Sequence, residues 1–292
     1  MEICTQIQRP NGGGTCVITR ENIFNYFRIM CYNFNNFIKN KSGEQLVNKY
    51  KLRLGDRRNL LQAQSDWENF KERFSFYYTS GFEHKALPII TMDKPDEIQF
   101  FHWGLVPTWV KTKEDALLRR KSNLNAKSET IFDLPSFKDS IMKRRCLVPA
   151  TGFYEWHDAD KKKFPYQIMV TDDEQPEAIR DFCFGGIYST WTDKQTGEVT
   201  NSFSIITTPA NDMMAYIHNL KKRMPLILRR EDEALWLRND LDENEINELM
   251  QPYPSRLMKA HTIGKMLGQT KINRNVEEVL SEEVYEGVKP WL

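Results

Sequence analysis

Apolar runs with strand character dominate this chain from residue 86 onward. Ala86–Met92 and Glu97–Gly104 read as two strands, joined by the turn-forming Asp93-Lys94-Pro95-Asp96. Arg145–Trp156 is a long strand candidate interrupted by Pro149 and Gly152, and the turn Asp158-Ala159-Asp160 leads from it to a partner strand, Phe164–Val170. Phe182–Thr190 and Phe203–Thr208 are further apolar, β-branched runs, and Leu226–Leu228 is a short one. Helices are predicted over Phe34–Lys51, Glu114–Lys121, Ser136–Lys143 with Ser136 as N-cap, Arg230–Arg238 and Glu243–Gln251. No fixed-period repeat or low-complexity linker divides Cys31–Leu292. The pattern predicts an α+β fold: a single domain with a curved, mostly antiparallel, barrel-like β-sheet core flanked by helices.

Composition narrows the class. The 292 residues are 40% hydrophobic and 28% charged, ordinary for a globular protein. Forty-one basic against forty acidic residues leave a net charge of +1, so a nucleic-acid site would have to be a local basic patch. No apolar run approaches the length of a membrane span, and no membrane partner is expected. Five Cys, an odd number with no C-x-x-C pair, argue against a disulfide framework and a zinc knuckle, so neither metal nor cofactor is expected. A reducing cytosol fits this cysteine usage.

Residues 1–30 differ from the rest: polar, with Gly12-Gly13-Gly14 and no continuous apolar core of the secretory type. The segment ends in Met30-Cys31. Three readings stand, in order of preference: a start called too early with Met30 the initiator, a propeptide removed before Cys31, or a genuine arm. Under the first two, Cys31 carries a free α-amine beside its thiol. Such a 1,2-aminothiol traps aldehydes, the amine forming a Schiff base and the thiol then closing a thiazolidine ring. Under the third, Cys31 is an ordinary small buried side chain.

Downstream motifs favour the aminothiol. In order these are His102-Trp103-Gly104-Leu105-Val106-Pro107-Thr108-Trp109, Asn125-Ala126-Lys127-Ser128-Glu129-Thr130, Arg144-Arg145-Cys146-Leu147-Val148-Pro149, and Gly152-Phe153-Tyr154-Glu155-Trp156. Thr207-Thr208-Pro209-Ala210-Asn211, Ile217-His218 and Arg223-Met224-Pro225 follow. The ordered set resembles the SOS response-associated peptidase family of abasic-site processing proteins, over Met30 to about Met266. Each motif alone is weak; their order and spacing carry the resemblance.

That resemblance implies covalent capture of abasic sites in single-stranded DNA by a mature N-terminal Cys31, in a cytoplasmic protein that associates with the nucleoid when bound to damaged DNA. An α-amine near pH 7.4 is roughly 250 times more often in its free-base form than a Lys side chain. Tethering the thiol beside the imine carbon is worth effective molarities of about 10⁵ M or more. The thiazolidine also removes the iminium that would drive strand cleavage.

The resemblance places catalytic roles on Cys31, Glu155 and His218, with Glu155 as proton donor and acceptor and His218 linked to ring opening and reversal. Taken alone, Glu155 reads as an outward residue on an alternating strand, and His218 as a structural His in a turn. The segment from His218 to Arg223 is longer than in the tight His-x-Arg-Met-Pro version of the motif. Tyr78 or Thr79 stands where many members carry an Asn, and that Asn role is not transferred. For DNA, Asn125 and Lys127 are expected to contact phosphate, Trp109 to stack on a base, and Arg145 and Arg223 to contribute from basic runs. Trp103 leans toward the core. A monomer is expected. Two alternatives stay open: a thiol autoprotease or peptidase using the same three residues, and a non-covalent module for modified DNA.

Overall fold

Two stretches of the chain alternate apolar residues toward two different partners, and this splits the strands into two sheets. The computed structural model describes residues 33–36, 75–171 and 175–291, all within the unit Cys31–Leu292. The strands are β1 Asn33–Asn36, β2 Phe76–Ser80, β3 Ala86–Thr91, β4 Lys94–Trp103, β5 Asn125–Lys127, β6 Arg145–Ala150, β7 Gly152–Ala159, β8 Lys162–Thr171, β9 Ile179–Arg180, β10 Phe182–Thr192, β11 Val199–Pro209, β12 Arg223–Pro225 and β13 Met258–Thr262. Five short helices accompany them among the described residues: α1 Lys113–Ser122, α2 Lys138–Lys143, α3 Asp212–Ile217, α4 Asp232–Trp236 and α5 Glu243–Leu249.

One sheet runs β13-β8-β7-β1-β2 with β9 on β8. The other runs β10-β6-β3-β4-β11 and closes on itself through the β10–β11 pair, with β12 and β5 added to β11. Pairing is antiparallel except where β11 meets β4 and β5. The expected α+β architecture with a barrel-like, mostly antiparallel core is therefore present. Closure leaves these five strands without a free edge inside the ring.

The two sheets meet through aromatic rings. Phe34 of β1 and Phe153 of β7 pack on Phe184 of β10, at 5.5 and 6.0 Å between centroids, and Phe34 lies 5.3 Å from Trp103. Trp103 is fully buried, stacks on Phe203 and donates its indole N–H to Leu124 O, so its assignment to the core holds. Each such ring contributes on the order of 1.5–3 kcal/mol of burial free energy. The opposite faces of β6, β10 and β11 present Leu147, Cys183 and Ile206 to Ile141 of α2, Trp236 of α4 and Ile246 of α5. Strands covered on both faces explain the near-continuous apolar runs.

Several expected boundaries are corrected. Phe34–Asn36 is strand, not the start of a helix, because β1 is sandwiched between β2 and β7; residues 37–51 of that expectation lie outside the described residues. Arg145–Trp156 is two strands in two sheets. The chain changes sheet at Thr151, whose N–H and hydroxyl both bond Asn35, and at Gly152, where a Cβ would approach Ile168 O to 3.0 Å and Asn35 Oδ1 to 3.1 Å. The hairpin after β7 turns on Asp160 and Lys161, both with positive φ (50° and 62°), the pattern of a type I′ turn. The strand expected at Leu226–Leu228 is reduced to an antiparallel bridge from Ile227 to Phe184 of β10, with β12 just before it.

Gly104 ends β4 with φ +113°, and a Cβ there would stand 2.2 Å from Arg120 O. Gly104→Ala should lower unfolding free energy by about 3 kcal/mol, read by urea denaturation; wild-type stability in the variant would contradict this account of the turn.

Candidate active site

β7 carries Phe153, Glu155 and His157 on one face by strand alternation. Phe153 faces the aromatic core, so Glu155, two residues on, also points inward rather than to solvent. Glu155 is 4% exposed and His218 6%, which removes both from bulk water. This decides against Glu155 as an outward residue.

His218 is placed by α3. Asn211 caps that helix, its side-chain oxygen accepting from Met214 N at 2.8 Å, while Met213, Met214 and Ile217 anchor it in the core. The helix stops at His218, whose N–H still bonds Met214 O. The imidazole Nδ1 lies 2.9 Å from Arg223 O. A carbonyl can only accept, so Nδ1 carries the proton and, in the neutral ring, Nε2 keeps a lone pair.

Nδ1 of His218 and Oε1 of Glu155 are 3.8 Å apart, beyond hydrogen-bond length. Oε1 is buried and has no hydrogen-bond partner among the described residues. An unsatisfied buried carboxylate oxygen is costly, about 1–3 kcal/mol or more, and calls for a functional explanation.

The start of β1 borders this pair. Phe34 is paired with Phe153 and Asn35 with Gly152, antiparallel, so β1 read backward from Asn33 runs toward the Glu155 end of β7. Asn35 is held by Thr151 and by the Tyr154 hydroxyl, and Tyr154 in turn donates to Tyr77 O at 2.6 Å. Tyr78 donates to Asn33 Oδ1 at 2.9 Å. Thr79 is paired with Phe34, and its buried hydroxyl has no hydrogen-bond partner among the described residues. Cys31 lies outside the described residues, as do Cys4 and Cys16. Cys146 and Cys183 are core residues, and burial pushes the Cys146 thiol well up, which leaves it inert.

The residues assigned to DNA separate into three groups. Asn125 and Lys127 begin and end β5, the first buried and the second exposed. Trp109 is 44% exposed, its indole N–H bonded to Pro135 O and Arg119 lying 5.3 Å above its ring. Arg145 is corrected: it is fully buried, its guanidinium donating to the carbonyls of Trp236, Ile141, Met142 and Arg238, where no phosphate can reach. Arg223 is committed as well. It forms an ion pair with Glu129 and bonds Thr207, while its carbonyl orients His218. Since Lys127 is paired with Thr207 on the same stretch of β11, Arg223 links the β5 end to the His218 loop.

Asn219, Asn35 and Tyr154 escaped sequence reasoning. Asn219 bonds the backbone of Asp158 across the fold, and no spacing signals such a contact. Among the described residues, no group of three or more His, Cys, Asp or Glu is arranged to hold a metal ion, and no helix is long and apolar enough to cross a membrane.

This barrel-based fold with a buried Glu–His pair defines a class. The family model described as SOS response associated peptidase (SRAP) matches residues 30–270, and the chain belongs to that family. It is 32% identical over 198 residues to the abasic site processing protein YoqW of Bacillus subtilis, covering 67% of this chain and 82% of that protein. With YoaM of the same organism, also named an abasic site processing protein, it shares 30% identity over 224 residues, covering 75% and 92%. A crystal structure of a protein from Bacteroides thetaiotaomicron superposes with a TM-score of 0.74 at 36% identity, over 87% of this chain and all (100%) of that one.

Burial disfavours the Glu129 carboxylate, but the Arg223 guanidinium more than offsets this and holds the carboxyl below its usual range. A depressed carboxyl pKa stabilises the fold above the unfolded-state value and loses that contribution as pH falls. Glu129→Gln should therefore lower stability at pH 7, by no more than about 1 kcal/mol because the pair is partly solvated, and the difference should vanish in acid. Urea unfolding at neutral and acid pH checks this; a difference that grew in acid would contradict it.

Proposed function

We propose that this chain processes abasic sites in single-stranded DNA by covalent capture, with the α-amine and thiol of a mature N-terminal Cys31 as the trapping pair. The observation that carries this reading is the water-excluded Glu155 carboxyl, one oxygen without a hydrogen bond among the described residues, 3.8 Å from His218. Family membership and the relatives' printed names support it. Chain length does too: only Tyr32 separates Cys31 from Asn33, a reach of at most about 7 Å, and β1 heads toward Glu155.

The steps balance. His218 Nε2 takes the hydroxyl proton at C1′ of the closed sugar, the C1′–O4′ bond breaks, and O4′ takes up a proton, giving the aldehyde. The Cys31 amine adds to the aldehyde carbon to form a carbinolamine. Glu155 supplies the proton with which the carbinolamine hydroxyl leaves as water and takes back the proton that nitrogen then releases, giving the neutral imine. Sγ then adds to the imine carbon while the thiol proton passes to nitrogen. Amine, thiol and aldehyde become one thiazolidine and one water. The enclosed site keeps bulk water from the imine until the sulfur has closed on it.

DNA is engaged by Lys127 as a point charge on phosphate, by Asn125 beside it, and by exposed Trp109 as a stacking surface. Arg223 serves by orienting His218. Contacts of this kind give little sequence preference and strong salt dependence. The protein acts as a monomer.

Purified protein incubated with an oligonucleotide carrying one abasic site should give a band that survives a denaturing gel. Cys31→Ala should abolish it, and Glu155→Gln should slow its appearance about a hundredfold with unfolding unchanged. Equal non-covalent binding by wild type and Cys31→Ala, with no such band, would instead favour a binding module.

A further inference from the structure

β7 meets the chain around His218 at three successive points. Glu155 faces His218 across 3.8 Å. His157 stacks on Tyr216, at 4.6 Å between centroids and 24° between planes, and its Nδ1 lies 2.8 Å from the Tyr216 carbonyl. Asn219 completes the series with a two-bond clamp on the backbone of Asp158. Its Oδ1 accepts from Asp158 N at 3.1 Å, and its Nδ2 donates to Asp158 O at 2.7 Å.

At its far end the turn is held by Lys222 O, which accepts from Ala210 N at 2.9 Å, and by the pairing of Arg223 with Pro209; at its near end the clamp is the tie to β7. Leu220 is 64% exposed, and Lys221 and Lys222 are exposed as well, so no apolar burial anchors residues 219–222. The turn is tight, with Lys221 N and Lys222 N both bonded to His218 O and Lys222 at φ 51°. It also lies between the His218 ring and Arg223, whose carbonyl receives the Nδ1 proton. Displacing the turn would displace that carbonyl relative to the ring. Arg223 is fixed at its far end by Glu129 and Thr207, which leaves the Asn219 end as the adjustable one.

We propose that Asn219 is a positioning residue: by clamping the turn 219–222 to β7 it fixes the His218 imidazole, in its Nδ1–H form, at its distance from Glu155. An amide is suited to this task, since it sets a donor and an acceptor side by side against the N–H and C=O of one residue. Asp would keep the acceptor but set an oxygen against Asp158 O. Ala supplies neither group. The consequence for rate rests on the abasic-site reading, whereas the placement of the ring does not.

The test is ¹⁵N NMR of the imidazoles in the mature protein that begins at Cys31, read beside crosslinking rates and thermal unfolding. Wild type should show His218 as a single Nδ1–H tautomer. Asn219→Ala and Asn219→Asp should both lose that single form and crosslink about tenfold more slowly or worse, while unfolding cooperatively near the wild-type temperature. Leu220→Ala, in the same turn, should keep the wild-type tautomer. An unchanged His218 tautomer in the two Asn219 variants overturns the proposal whatever the rates do. Should wild type form no crosslink while the variants still lose the tautomer, the positioning role is supported and the proposed function is the part that fails.

Discussion

The site depends on one electrostatic constraint: a carboxyl group held inside the protein with an oxygen that none of the described residues satisfies. Glu155 shares its strand face with Phe153, which is locked among Phe34 and Phe184. The same packing that joins the two sheets therefore forces Glu155 inward. A buried polar atom without a partner is ordinarily removed by selection for stability or matched by a neighbour. Here His218 Nδ1, 3.8 Å away, has its proton committed to the Arg223 carbonyl. The fold thus keeps an acceptor available beside an imidazole whose other nitrogen is free to take a proton.

Around this pair the protein is stiff. Asn35, Thr151 and Tyr154 bind the strand that leads from Cys31, and the end of α3 is tied to β7 by ring stacking and by an amide clamp. Rigid placement is what the proposed chemistry would require, since it brings an amine, a thiol and two proton carriers to one carbon. The buried Arg145 serves the same end at a distance, filling four backbone carbonyls at the junction of α2, α4 and β6. Its role is architectural, although its place in a basic run suggested otherwise.

Much of this was legible in the sequence, for identifiable reasons. Alternating and continuous apolar runs gave most strands, since β6, β10 and β11 are buried on both faces. The break at Thr151–Gly152 was visible as a glycine but not as a change of sheet, because a strand that crosses between sheets keeps its apolar pattern on both sides. β1 read as helix because Asn33-Phe34-Asn35-Asn36 carries its apolar ring singly, and its strand state comes from two neighbours remote in sequence. Glu155 and His218 were singled out through ordered motifs rather than through any property of a lone Glu or His, and the structure brings the two within 3.8 Å. Basic runs were the weakest guide: charge spacing cannot distinguish Lys127 at a strand end from Arg145 in the core or Arg223 in an ion pair. Asn219 left no signature, since its partner is backbone.

The account stands on residue 31 having an unacylated nitrogen in the working protein. Intact-mass and N-terminal analysis of the protein isolated from its own cells, in a form that retains activity, tests this most directly. A chain beginning at Cys31 is the predicted result. Active protein still carrying residues 1–30 would contradict it, because an amide nitrogen at that position cannot form the imine.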